Sequence, residues 1–107
     1  MDYEERFSEQ ELEQVIAEGL IYMCACPAQV AETIRSVRRL YRYQLGCIAG
    51  PDNDDRVHRA IAEAAIATHA RLQECMDEIL RIEQWDRATL RMPEHLRVKQ
   101  LKAIADD

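Results

Sequence analysis

The 107-residue sequence contains few of the residues that break helices and form tight turns. It has three Gly and three Pro, too few for the many turns of an all-β fold. No apolar run approaches the roughly 20 residues that a membrane-spanning helix needs. The first residues are acidic, whereas a secretory signal would be basic and then apolar. These absences predict a helical, cytoplasmic protein that does not enter a membrane.

The sequence nevertheless carries enough apolar material for one core. Apolar residues make up 48% of the chain and charged residues 32%, and the net charge is −6. A chain of this length usually forms one domain, so residues 1–107 are expected to form a single helical one. The net acidity disfavours nucleic acid as a partner, because neutralisation of phosphates dominates that kind of binding.

Periodicity and boundary signals divide the chain into four predicted helices. Ser8 and Glu11 fit a capping box at the start of the first helix. Pro27 fits the first turn of the second. Residues 50–53 contain the Gly, Pro, Asp and Asn that end one helix and begin the next. The predicted helices are residues 8–23, 27–48, about 53–85 and 93–104.

The third predicted helix carries a long apolar stripe, spaced by three and four residues, which predicts one buried face. A short loop makes the second and third helices antiparallel neighbours. The predicted fold is therefore all-α, an antiparallel helical hairpin with flanking helices in a three- or four-helix bundle. The stripe consists of Val57, Ile61, Ala64, Thr68, Leu72, Cys75, Ile79 and Ile82.

The third helix is longer than the second, so part of it projects beyond a bundle formed by one chain. Either the last helix folds back over that part, or a second subunit covers it. We favour the second arrangement and expect a homodimer with a shared helical core.

Four Cys in an intracellular chain raise the question of thiol chemistry. If the hairpin turns near Pro51, Cys26 lies level with Cys75, and Cys24 is close in sequence to Cys26. Three thiolates can hold Zn(II) or Cu(I), and two can form a redox pair. The favoured alternative is that these residues pack in the core as small apolar side chains. The candidate metal or redox site is therefore Cys24, Cys26 and Cys75, and no other cofactor is expected.

The second predicted helix carries one basic patch. Its arginines share a helical face, which predicts a docking surface for an acidic protein or, less strongly, for DNA. Alternatively, they pair with the glutamates of residues 1–20, a segment with a net charge of −6. The patch consists of Arg35, Arg38, Arg39 and Arg42.

The sequence contains no Ser–His–Asp arrangement with local support, no glycine-rich phosphate loop and no Gly-x-Ser-x-Gly motif. No catalytic residue is therefore assigned. We expect a small non-enzymatic interaction or regulatory protein that acts as a homodimer. A thiol-based metal-binding or redox-switch protein is the second hypothesis, and a DNA-associated regulator is the third.

Overall fold

A computed structural model of the chain describes residues 3–21, 25–48, 50, 55–93 and 96. Helix α1 spans Glu9–Ile21, α2 spans Cys26–Ile48 and α3 spans Asp55–Ile82. These residues include no β-strand, which confirms the all-α prediction. The predicted fourth helix, residues 93–104, lies outside the described residues except at positions 93 and 96.

The capping box predicted for α1 is present. The Ser8 amide donates to Glu11 Oε1 at 2.9 Å, and the Glu11 amide donates to Ser8 Oγ at 3.0 Å. Two amides that would lack partners at the helix start are thereby satisfied. The Ser8 bond lowers the pKa of Glu11, with a further contribution from Arg87.

Helix α3 ends at Ile82, earlier than predicted, because the chain forms a Schellman turn there. The Trp85 amide donates to the Leu80 carbonyl at 2.9 Å, and the Gln84 amide donates to the Arg81 carbonyl at 3.2 Å. Gln84 adopts a left-handed φ of 62°. Glycine is the usual residue at this position, so the sequence lacks the signal that would have marked the end.

Helix α2 packs against both α1 and α3. Two contacts show that the hairpin is antiparallel. Arg38 contacts His69, whereas Gln44, later on α2, contacts His58, earlier on α3, with 2.8 Å between Gln44 Oε1 and His58 Nδ1. Helix α1 runs antiparallel to α2 and begins at the level of Arg38, with which Glu9 pairs. Among the described residues, α2 and α3 are the helices that extend beyond the level of Arg38, and the molecule is 60 Å long.

The core lies where the three helices meet two non-helical segments, residues 3–8 and 83–93. Each segment contributes buried apolar side chains, so the core is not built from helices alone. The buried core cluster consists of Phe7, Leu12, Val15, Ala31, Ile34, Met76, Leu80, Trp85, Leu90 and Met92.

Helix α3 turns a different face to the core from the one that its apolar stripe predicts. Each buried residue of α3 follows a stripe residue by one position, which is a rotation of about 100°. The stripe residues are half-buried or exposed on the flank of the hairpin, and among them Leu72 packs against the core cluster. The buried residues of α3 are Ala62, Ala65, His69, Gln73, Met76 and Leu80.

Candidate functional site

Three arginines of the predicted basic patch bind acidic side chains of the chain itself. Glu9 lies 3.5 Å from Arg35, 3.0 Å from Arg38 and 3.5 Å from Arg42. Glu5 lies 3.8 Å from both Arg38 and Arg42. The Arg38 hydrogen bond holds the pKa of Glu9 below its usual value. For these three arginines, the structure shows the pairing with glutamates that the charge distribution allowed.

The four arginines of the patch differ in their access to solvent. Arg38 is fully buried, so a docking partner cannot reach it in this conformation. Arg35 is half-buried, whereas Arg39 and Arg42 are exposed. Arg39 donates to Ser36 Oγ at 2.9 Å. The docking surface for an acidic protein stays a prediction, and it is carried by the exposed arginines.

Arg38 is the centre of a buried polar cluster. Its Nε donates to His69 Nε2 at 3.0 Å. One terminal nitrogen donates to Glu9 Oε1 at 3.0 Å, and the other donates to the Phe7 carbonyl at 2.6 Å and to Gln73 Oε1 at 3.2 Å. A buried guanidinium is tolerable because each of its three nitrogens has a partner.

Residues 3–7, which we call the strap, are non-helical and contact both helices of the hairpin. Gln73 binds the strap backbone with both ends of its amide. Its Oε1 accepts from the Arg6 amide at 2.7 Å and more weakly from the Phe7 amide at 3.4 Å, and its Nε2 donates to the Glu4 carbonyl at 2.8 Å. The Gln73 side chain therefore provides hydrogen-bond partners for three backbone groups of the strap.

Two aromatic contacts hold the first described residue of the strap. The Tyr3 ring stacks on Tyr41, with centroids 4.4 Å apart, and on His69, with centroids 4.7 Å apart. The Tyr3 hydroxyl donates to Glu5 Oε1 at 2.9 Å. Burial and then this bond raise the pKa of Tyr3 to about 12.

His69 is neutral in this arrangement. Arginine keeps its protons in proteins, so Arg38 Nε is a donor and His69 Nε2 must accept with its lone pair. The ring proton is therefore assigned to Nδ1. Burial lowers the pKa of His69, and the charge of Arg38 lowers it further, while Glu5 acts in the opposite direction.

Sequence reasoning did not predict this cluster. Gln73 and His69 each lie one position beyond a stripe residue, and helical periodicity therefore placed them beside the core face. One sequence signal could have found them: His69 and Gln73 are polar residues four positions apart, so they lie on the same face of α3. If that face is buried, both need polar partners, and an arginine of the neighbouring helix can supply them.

The predicted thiol site is only partly within the described residues. Cys24 lies outside them, Cys26 is exposed at the first residue of α2, and Cys75 is half-buried on α3. Cys26, Cys47 and Cys75 carry thiols rather than disulfide bonds. Among the described residues, no group of three or more His, Cys, Asp or Glu is arranged to hold a metal ion. The three-thiol site requires Cys24 and stays a prediction.

An apolar groove of about 310 Å³ opens between α2 and α3, on the flank where the α3 stripe lies. Three stripe residues, Ile61, Ala64 and Thr68, line the groove, and the small alanine side chains of α3 leave it open. The lining residues are Val37, Leu40, Ala60, Ile61, Ala64, Ala65 and Thr68.

The α2 wall beside the groove is uncharged along its whole length. The row of residues that passes through Leu40 at spacings of three and four contains no Asp, Glu, Lys or Arg, although 32% of the chain is charged. We call this row together with the α3 stripe the groove face. The α2 row consists of Gln29, Thr33, Ser36, Leu40, Tyr43 and Cys47.

None of the described helices is both long enough and apolar enough to cross a membrane. No protein-family model, curated protein sequence or solved structure matches the chain.

Proposed function

We propose that the chain is a non-enzymatic helical interaction protein that acts as a homodimer, joined through the groove face. The observation that carries this proposal is the position of the α3 stripe, most of which lies beside the core rather than in it, with Leu72 packed against the core cluster. The proposal keeps the cytoplasmic location expected from the sequence. It also keeps the bundle prediction, since a second hairpin packed on the groove face would complete a helical bundle.

The groove face exposes large apolar side chains that a single chain leaves uncovered. Leu40 is 43% exposed, Val57 57% and Ile82 65%. Covering apolar surface is favourable by roughly 25 cal/mol for each Å². Leu40 lines the apolar groove, and exposed apolar side chains that gather around a groove mark interaction surfaces more often than isolated ones do.

The groove face has the size of a dimer interface. Helix α3 has 28 residues, which corresponds to about 42 Å at 1.5 Å per residue. Two adjacent helices about 10 Å apart give a face about 20 Å wide. The product is about 800 Å² per chain, the area that each partner contributes to a stable interface of standard size.

A second copy of this chain is the partner that fits the chemistry of the face. Interfaces with two-fold symmetry bring the same patch of both subunits together, so a charged patch would repel itself. The two rows that form the groove face contain no charged residue, although the Arg39 guanidinium lies at its edge and donates to Ser36 Oγ. A second copy would therefore bring mainly uncharged side chains together. Small residues such as Ala60 and Ala64 allow another helix to approach closely.

The test is a mass measurement by light scattering after size exclusion, on the wild type and two matched variants. Ala64→Glu places a charge in the groove, whereas Ala70→Glu places the same charge on α3 away from the groove face. Both alanines are exposed, so both variants are expected to fold. We expect the wild type and Ala70→Glu to have twice the chain mass of 12.4 kDa, and Ala64→Glu to have the single mass.

A wild type that stays at the mass of one chain contradicts the homodimer, and the groove face would then need a different partner. A dimer that survives Ala64→Glu contradicts the assigned interface. Circular dichroism of each variant confirms that a change in mass does not come from loss of the helices.

A further inference from the structure

We propose that the strap is a proton-sensitive element, in which protonation of His69 releases residues 3–5 from their contacts with α2 and α3. Phe7 stays in the core. The proposal concerns the opposite flank of the hairpin from the groove face and does not depend on the dimer.

The sensitive contact is the hydrogen bond between the two buried side chains. His69 Nε2 accepts from Arg38 Nε at 3.0 Å, which requires the lone pair of the neutral ring. A proton bound at Nε2 turns this acceptor into a donor, so two N–H groups face each other. It also places a second positive charge beside a guanidinium that is fully buried and cannot lose its own proton.

If Arg38 moves, the strap is loosened, because the Arg38 guanidinium binds both the strap backbone and the side chain that holds it. Arg38 donates to the Phe7 carbonyl and to Gln73 Oε1. The same Gln73 oxygen accepts from the Arg6 amide. The imidazole is also one of the two rings on which Tyr3 stacks. A single proton therefore acts on the backbone contacts and on the aromatic contact of the strap together.

Arg6 and Phe7 both have anchors apart from His69, which confines release to residues 3–5. The Arg6 guanidinium donates to Asp77 at 3.2 Å, and the Arg6 carbonyl accepts from Arg87 at 3.1 Å. Phe7 is held through its ring. Its side chain is fully buried in the core, and the Arg87 guanidinium lies 4.3 Å from the centre of its ring. Arg87 in turn pairs with Glu11 at 2.7 Å. None of these contacts involves His69.

The charged and titratable groups around His69 come from three elements. Arg38 faces it from α2, while Tyr3 and Glu5 face it from the strap. Behind Arg38 lie Glu9 from α1 and Arg42 from α2. Glu5 favours the protonated ring, but it also lies 3.8 Å from both arginines. Burial and Arg38 together outweigh it and lower the pKa of the imidazole.

The direction of the pH effect follows from this lowered pKa. The strapped state favours neutral His69, and the released state lets the ring return toward its ordinary value of about 6.5. The stabilisation of the strap is therefore complete above that value and is lost as the pH falls through the pKa of the strapped state.

The experiment is an NMR titration of the full chain from about pH 7.5 to about pH 5, the range in which histidine titrates. It follows the His69 ring signals, the contacts between the Tyr3 and Tyr41 rings, and the exchange of the Arg6 amide relative to its intrinsic rate. The control is His69→Gln, because a glutamine oxygen can accept from Arg38 but takes up no proton in this range.

We expect the Tyr3–Tyr41 ring contacts to disappear in the wild type with the same midpoint as the His69 titration. Protection of the Arg6 amide should fall by about tenfold for each unit by which the His69 pKa differs between the strapped and released states. The His69→Gln variant should keep its strap contacts across the range. Helix signals should persist in both proteins.

Three results would overturn the proposal. The first is a strap that stays bound while His69 is protonated. The second is release in the wild type with a midpoint separate from that of His69. The third is release of the strap in His69→Gln at the same pH as in the wild type, which would assign the effect to the carboxylates. If His69→Gln fails to hold the strap at neutral pH, comparison of the two wild-type midpoints still decides the question.

Discussion

Gly19 of α1 lies against Ala28 of α2, and its missing side chain permits that close approach. A Cβ at this position would lie 2.6 Å from the Cβ of Ala28, closer than two such carbons can come. We predict that Gly19→Ala forces the helices apart and lowers the free energy of unfolding by about 1–3 kcal/mol, the usual cost of overpacking. Urea denaturation measures this change.

Gly46 supplies the matched control on α2. A Cβ added there meets nothing within 4 Å, and the position is exposed. Gly46→Ala should therefore raise the free energy of unfolding by about 0.5–1 kcal/mol, because alanine loses less conformational entropy in a helix. If both substitutions shift the urea midpoint in the same direction, the close contact at Gly19 does not limit the packing of α1.

The burial of Arg38 is a property of a single residue that the sequence did not predict. The sequence places it on a face with Arg35 and Arg42, and an arginine in such a row is expected at the surface. The structure buries it because His69 and Gln73, more than 30 residues away, supply acceptors for its N–H groups. Neither the spacing nor the composition of α2 contains that information.

At the scale of elements, the end of α3 depends on a residue that is not suited to its conformation. Gln84 has a φ of 62°, where a side chain costs roughly 1–2 kcal/mol. The Gln84 side chain is exposed and contributes little burial. We predict that Gln84→Gly raises the free energy of unfolding by about 1 kcal/mol, measured by thermal denaturation.

Leu90 provides the contrast, because it has a φ of 55° but is buried in the core. Leu90→Gly should relieve the same backbone conformation yet lower the free energy of unfolding by several kcal/mol, since it removes a buried leucine. If glycine raises the free energy of unfolding equally at both positions, residues 83–93 do not pack against the helices as described.

The elements themselves were largely predictable, and their rotation was not. The start of α1 follows from a local capping box, and the start of α2 follows from Pro27. The facing of α3 was predicted wrongly by one residue, because apolar spacing does not show which polar residues find buried partners. Polar residues with buried partners, such as Gln73, took the core positions instead.

At the scale of the whole molecule, the chain is extended for its size. Its radius of gyration is 17.3 Å, against about 13 Å for a compact domain of 100 residues. If the native state is a dimer, unfolding also separates the subunits, and the melting temperature must rise with protein concentration. We predict this rise for the wild type and for Ala70→Glu, and its absence in Ala64→Glu.

Thermal denaturation over a hundredfold range of concentration measures this effect independently of the mass. For the proposed dimer, each tenfold dilution of the wild type is worth about 1.4 kcal/mol of association free energy. A wild-type melting temperature that does not change with concentration would contradict a dimer that contributes to stability.

Periodicity, caps and prolines predicted the all-helical class, the hairpin and most helix boundaries, because these signals act within a few residues of each other. Long-range packing set three other features: the buried face of α3, the interior position of Arg38, and the contacts of residues 3–7 with both helices of the hairpin. These features depend on contacts between residues far apart in the chain, such as Gln73 with the Arg6 amide. Apolar spacing indicates which face of a helix favours burial, but it does not indicate which distant residues will cover that face.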